Sequence, residues 1–380
     1  MSKKYCKFPW TWSNVKLQND QWRFCCKTTY LDYAESVEVL DNVKTSFIAH
    51  QEHSACDACW RQEDAGSLSY RTSMNGQTRH EAIVHFFNKK PSIEWIDIEF
   101  GDTCNMYCAT CGPGNSSKWQ QLLKIFPNEN NKFDLAWPRL HDMIMKNIES
   151  LHHLNIYGGE PSVDPNFHSL VDNLTQAKFP KKLGIQIYTN GNYSDNHQVK
   201  FEKGIDKLKD HGWDIDLNFS LDAPGEDGEF IRGGLKFDRF EKNLRKIIDM
   251  GIMPFINIST SILNIENQVN IYHWLKSAGL QDKIIPKINI VSRPYWASIS
   301  NLGNKISDFM PQWPDDIQEE HWITYKDRLT QNLAKNLSST VGPDHKMIQL
   351  MMGNINKYSK MNNDIITPYY QDYFSRLDKI

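Results

Sequence analysis

IEWIDIEFGDTCNMYCATC, residues 93–111, decides how this chain is read. Its first seven residues alternate apolar and polar side chains, the period of a half-buried strand. The strand runs directly into a loop carrying Cys104, Cys108 and Cys111. Residues 116–125 (SSKWQQLLKI) then read as a helix, with Ser116 or Ser117 placed to cap its first free N–H groups. The order is strand, cysteine loop, helix.

The same rhythm continues outward from this unit. Strands are predicted at 152–157, 184–189, 214–221, 253–260 and 286–291, separated by helices at 136–150, 166–177, 198–211, 237–250 and 265–278. Phe237, Phe240, Leu244 and Ile247 or Ile248 mark the buried face of one helix. Six strands alternating with helices imply a parallel sheet, either doubly wound or curled toward a barrel. The fold class predicted is α/β, a partial (βα)6 TIM-type barrel over 91–293. A small Cys-rich domain over 1–90 precedes it, and a helical extension over 294–380 follows. Ligands of such sheets bind at the C-terminal ends of the strands. The loops that matter are therefore Gly101 to Cys111, Gly158-Gly159-Glu160-Pro161, Thr189-Asn190-Gly191, Ser220-Leu221-Asp222 and Ser259-Thr260.

Composition excludes several classes. Forty-three Lys and Arg against 46 Asp and Glu leave a formal charge of −3, no footprint for nucleic acid. No apolar run reaches membrane-spanning length, and the basic N-terminus lacks an apolar signal core, so neither membrane nor secretion is expected and the chain reads as cytoplasmic. All 8 cysteines fall in the first 111 residues, a clustering that in a cytosolic chain points to metal or redox chemistry.

Cys104-x3-Cys108-x2-Cys111 supplies three thiolates, enough for three irons of a cubane with the fourth left open to a ligand. A zinc site, the competing reading, usually wants four Cys or His ligands. In Gly158-Gly159-Glu160-Pro161 the glycines let backbone approach a ligand and Glu160 can accept from an ammonium group. The cysteine spacing resembles the signature of the radical S-adenosylmethionine (SAM) superfamily, and the Gly-Gly-Glu-Pro loop resembles that family's second motif. The resemblance implies a [4Fe-4S] cluster whose open iron is chelated by the amino and carboxylate groups of SAM. It implies Tyr107 beside the adenine, Gly158, Gly159 and Glu160 at the amino group, and Ser220 and Asp222 at the ribose. Asn190 and Ser259 would bond the ribose or the carboxylate. It further implies reductive cleavage of SAM to a 5′-deoxyadenosyl radical, an electron donor such as flavodoxin or ferredoxin, and hydrogen abstraction from a peptide or small molecule, ending in oxidation or epimerisation. No catalytic side chain can be named; Tyr188 and Tyr295 are candidate hydrogen donors.

Five cysteines lie upstream of that motif. Cys6, Cys25, Cys56 and Cys59, with Cys26 spare and Glu63, Gly66 and Arg71 close behind, resemble the auxiliary-cluster modules called SPASM and twitch, implying a second [4Fe-4S] cluster. They depart from that pattern by preceding the barrel and by carrying Asp20 where a Gly is usual; four thiolates also suit structural zinc. Two alternatives stand beside this reading: a SAM-regenerating isomerase or group-transfer enzyme with a structural auxiliary cluster, and a non-catalytic zinc-binding interaction protein. Trp10, Trp12, Trp22 and Trp60 are expected to pack around the cysteine loops, and Arg293-Pro294-Tyr295-Trp296 is a candidate substrate contact.

Overall fold

The computed structural model describes residues 5–64, 69–75, 91–125, 131–337, 342–362 and 366–379; Gly66 lies outside the described residues. The chain opens with helix α1 (Phe8–Thr11) and strands β1 (Trp12–Lys16), β2 (Gln21–Arg23) and β3 (Leu31–Asp32). Helices α2 (Tyr33–Ile48), α3 (Asp57–Asp64) and α4 (Tyr70–Asn75) follow. The barrel comprises β4 (Trp95–Glu99), α5 (Ser117–Leu123), α6 (Phe133–Lys146), β5 (His153–Tyr157), α7 (Pro165–Gln176), β6 (Gly184–Thr189), α8 (Asp195–Asp210), β7 (Asp214–Ser220), α9 (Gly225–Ile231), α10 (Phe237–Asp249), β8 (Phe255–Thr260), α11 (Gln268–Ser277) and β9 (Ile285–Ile290). The extension adds α12 (Glu320–Leu337), α13 (His345–Asn362) and α14 (Pro368–Leu377).

One nine-stranded sheet runs in the order β3-β2-β1-β4-β5-β6-β7-β8-β9. Strands β4 to β9 are parallel neighbours in chain order. Right-handed crossovers between sequential strands put every helix on the same side, which curls the sheet; a doubly wound fold would need the order to reverse. The architecture is thus the α/β partial barrel, with its helical extension. Alternation separates the two faces. Ile96, Ile98, Leu154, Ile156, Ile185, Ile187, Leu217, Phe219, Ile256 and Ile258 are fully buried, in one core with Phe240, Leu244 and Ile247 of α10. Their neighbours Asp97, Asn155, Gln186, Asp216, Asn218, Asn257 and Lys287 alternate onto the other face and make it polar. On that face Asn155 Nδ2 donates to Asp97 Oδ1 (2.8 Å) and Gln186 Nε2 to Asp216 Oδ2 (3.2 Å).

The N-terminal segment joins the same sheet. β1 lies parallel to β4, with Asn14 opposite Asp97 and Lys16 opposite Glu99, while β2 pairs antiparallel with β1. Lys16 and Glu99 form an ion pair of 3.0 Å. Around α2, Phe8, Trp12, Phe24, Val43, Phe47 and Trp60 build a second apolar cluster with Cys6 and Cys25, and Trp10 packs on it; Trp22 joins the main core instead. At the other end, α12 packs against β9. In α14, Tyr370 Oη donates to Leu263 O (2.9 Å) and Arg376 pairs with Glu266 (2.5 Å), tying the extension to the segment after β8. Among the described residues no helix is long and apolar enough to cross a membrane.

Candidate functional site

The cysteine loop leaves the C-terminal end of β4 and is stitched to two neighbouring segments. Glu160 N donates to Thr103 O (2.7 Å), tying it to the loop after β5. Tyr107 N donates to Gly233 O (2.8 Å) and Ala109 N to Ile231 O (2.7 Å). Residues 107–109 thereby run antiparallel to 231–233, with Cys108 opposite Arg232 at the pair without backbone bonds, where facing side chains stand closest. Glycine is required at these approaches. A Cβ on Gly159 (φ +52°) would fall 2.3 Å from Thr103 O, one on Gly158 (φ +90°) 2.4 Å from Glu99, and one on Gly233 2.1 Å from the Tyr107 ring. Ser116 caps α5, accepting from Trp119 N (3.2 Å) while donating to Met106 O (2.5 Å), which clamps the far end of the loop.

Burial raises all three thiols. It pushes Cys104 up to about 12 and Cys108 up to about 11, with Arg232 opposing at Cys108; Cys111 is raised as well, opposed by the Gly112 backbone and by Arg232. Arg232 was not singled out from the sequence. Its guanidinium is buried, Nη1 donates to Asp222 Oδ2 (2.9 Å), and Nε has no partner. The only sequence signal for it was the Gly233-Gly234 pair that follows.

Of the other sequence-derived residues, Glu160 and Asn190 meet this loop directly and Asp222 reaches it through Arg232. Glu160 is buried; Oε1 accepts from Thr189 Oγ1 (2.6 Å) and Ser162 N (3.0 Å), and Oε2 from Asn190 N (2.5 Å). Burial nonetheless raises its carboxyl. A carboxylate offers about four acceptor sites, so one remains. Asn190 Nδ2 donates to Asn105 Oδ1 (2.8 Å) and lies 4.0 Å from Cys104 Sγ. Asp222 spends its second oxygen on Ser259 N (2.9 Å), so its carboxylate ties β8 to Arg232. Ser220 ends β7, one strand from Asn257 in register. Tyr107 packs edge-on to Trp119 with ring centroids 6.0 Å apart. Tyr295 is exposed, with Arg293 5.5 Å from its ring centroid.

Residues 98–275 match the family described as the radical SAM superfamily. The chain carries a radical SAM domain. Solved structures it resembles include native anSMEcpe with bound AdoMet (14% identity, 72% of this chain and 63% of that one, TM-score 0.39). Streptococcus suis SuiB bound to precursor peptide SuiA is another (15% identity, 80% of this chain and 63% of that one, TM-score 0.40). TYW1 with a lysine-pyruvate adduct bound is a third (15% identity, 66% of this chain and 85% of that one, TM-score 0.36). The chain thus spans about 63% of the length of the first two. No curated protein matches it. A radical SAM domain implies a [4Fe-4S] cluster and SAM. The radical SAM loop fits such a group: it presents three thiols, with a buried cation that has an unpartnered N–H opposite one of them.

The upstream thiols lie in the N-terminal segment, outside the matched residues. Cys6, Cys25, Cys56 and Cys59 line one small cavity of about 20 Å³, together with Lys27 and Arg71; Cys26 does not line it. Burial pushes Cys6 and Cys56 up to about 12, with Arg71 opposing. Among the described residues no three Cys, His, Asp or Glu side chains converge as they would on a single metal ion. Cys6 precedes β1, and Cys25 follows β2, which returns antiparallel to the start of β1. These thiols therefore stand at the opposite end of β1 and β4 from the Cys104 loop. Arg71 is held there by Glu63 and by its Nη1 bond to Tyr5 O (2.6 Å).

A larger cavity of about 760 Å³ opens between β9 and α12. Tyr188, Asn257, Lys287, Asn289, Thr324 and Arg328 are among the residues lining it.

Proposed function

We propose that this chain is a SAM-dependent radical enzyme in which Cys104, Cys108 and Cys111 hold a [4Fe-4S] cluster. The observation carrying the proposal is the loop that presents these three thiols, sutured to the Gly158–Glu160 and Ile231–Gly233 segments at the strand ends. Such a cluster, when bound and reduced, would supply the electron for cleaving SAM, and the chemistry so initiated would be hydrogen abstraction from substrate carbon.

The chain's own residues prepare that event. Gly158 and Gly159 let the loop after β5 pack closely against Glu99 and Thr103, and Glu160 would keep one acceptor site for the amino group of SAM. Asn190 orders the cysteine loop beside Cys104, and Ser220, Ser259 and Tyr107 would contact the nucleoside of SAM. Asp222 acts as a positioning residue, holding Arg232 and the β8 end. Arg232 offsets thiolate charge in a buried setting, where a fixed cation counts for more than in water. The cavity beside Lys287 would receive a peptide or small substrate.

Cys6, Cys25, Cys56 and Cys59 would hold a second [4Fe-4S] cluster in a twitch-like role, reached by a cytoplasmic donor such as flavodoxin or ferredoxin. Net oxidation, with that cluster taking up the electron left on the substrate, is favoured over SAM regeneration. Anaerobic reconstitution with iron and sulfide tests the assignment: two cubanes give about eight irons per chain, falling to about four in the Cys104→Ala, Cys108→Ala, Cys111→Ala triple variant. Zinc filling the sites, with fewer than about four irons per chain, overturns it.

A further inference from the structure

Lys287 is the unusual cation of the barrel's polar face. Its Nζ reaches back across β8, lies 3.4 Å from the Phe255 ring centroid, and donates to Asn218 Oδ1 (2.9 Å). No carboxylate stands within ion-pair distance of it among the described residues, whereas Lys16 on the same face is paired with Glu99. Two of its three N–H groups therefore have no recorded partner, and Lys287 lines the 760 Å³ cavity. Burial lowers its pKa, with Asp216 opposing, so this amine is held in a setting that lacks a full counter-charge. Around it the cavity offers neutral donors and acceptors, Tyr188, Asn257 and Asn289, and at the α12 wall one more cation, Arg328, together with the exposed carboxylate of Glu320 and the ring of His321.

We infer that Lys287 is the anchor for a carboxylate of the substrate, with Arg328 drawing that group in from the mouth of the cavity. The inference rests on the reading that substrate is attacked in this barrel and names the class of that substrate. A single half-buried amine with Asp216 nearby suits a monoanionic carboxylate better than a phosphate dianion, which would need more compensating charge. Position supports it too. Lys287 pairs in register with Asn257, which pairs with Ser220 at the end of β7. Its amine bonds Asn218, two residues before Ser220 on the same face, so the anchored group sits about 7 Å below the level where the nucleoside of SAM is expected. The carbon attacked then lies within about 7 Å, two residues' rise along a strand, of the carboxylate.

Binding of defined probes to the full-length chain tests this by calorimetry. N-acetyl-Ala-Ala carries a terminal carboxylate, N-acetyl-glutamate amide a side-chain carboxylate, and N-acetyl-Ala-Ala amide none. Both acids should bind and compete, the tighter one identifying the source of the carboxylate, and the amide should bind at least about tenfold more weakly. Lys287→Met should cost the acids about tenfold while leaving the amide unchanged, and Lys287→Arg should restore the preference. Equal binding of acid and amide, no binding of any probe, undiminished acid binding by Lys287→Met, or displacement by inorganic phosphate at lower concentration than either acid would overturn the inference. SAM cleavage measured on the same preparations separates the claims. Cleavage without acid preference removes the anchor alone, and acid preference without cleavage removes the radical reading alone.

Discussion

Asp222 and Arg232 allow the sharpest energetic test. Asp222→Asn keeps an acceptor for Ser259 N but leaves a buried guanidinium whose Nε already has no partner. Removing one member of a buried ion pair costs on the order of 3 kcal/mol or more, because the remaining charge is uncompensated. In the metal-free chain the cysteines are neutral thiols at pH 7, so they offer Arg232 no substitute. Unfolding entropy of about 2 cal/mol/K per residue over the chain makes each kcal/mol worth about 1.3 °C, so Asp222→Asn should melt about 4 °C low. Adding Arg232→Met removes the stranded charge and should recover about half of that loss. Thermal melts of the metal-free protein, followed by tryptophan fluorescence under anaerobic conditions, measure both. The reasoning fails if Asp222→Asn melts within about 1 °C of the parent, or if the double variant is no more stable than the single one.

Gly233→Ala places a methyl 2.1 Å from the Tyr107 ring and should cost about 1–3 kcal/mol by overpacking, a loss that Tyr107→Ala relieves in the double variant; melting curves of the three proteins check this. Glu160→Ala strands the buried Asn190 N–H and should cost about 1–3 kcal/mol while weakening SAM binding, measurable by melting and by SAM titration. At Glu63, burial pushes the carboxyl up, but hydrogen bonds from Arg71 and Ser69 overcome it and hold the group below its ordinary range. A depressed acid stabilises the fold above its unfolded pKa and loses that contribution as pH falls through its folded pKa. Glu63→Gln should therefore be less stable than the parent at pH 7 and indistinguishable from it once both are at a pH where Glu63 is protonated, as read by denaturant unfolding of the two proteins across an acid series.

The six barrel strands were legible to within two residues, because each alternates a helix-facing Ile, Leu or Phe with a polar side chain on the concave face. Strands β1 to β3 were not. WSNVK is too short and too polar to show a period, and what makes it a strand is β4, some eighty residues away in sequence. Helix α2 carried a readable signal, Val39, Leu40, Val43 and Phe47 at helical spacing, that was passed over in a segment read for its cysteines. The thiols themselves were legible as chemistry from spacing alone, and the cavity gathers the four upstream cysteines named from sequence. Arg232 and Lys287 were not, since a lone Arg in a helix-ending turn and a lone Lys in a strand look like surface charges. Only the pairing of 107–109 with 231–233 and the packing of α12 against β9 give them their places.

The central claim is that the Cys104, Cys108 and Cys111 thiols start a radical reaction from SAM. It is tested most directly by 5′-deoxyadenosine formed from SAM when the anaerobically reconstituted chain is reduced with dithionite. The account predicts that the parent makes 5′-deoxyadenosine and that the triple Cys→Ala variant makes none while retaining its upstream iron. 5′-Deoxyadenosine formed equally by the variant, or by neither protein despite full iron loading, would contradict it.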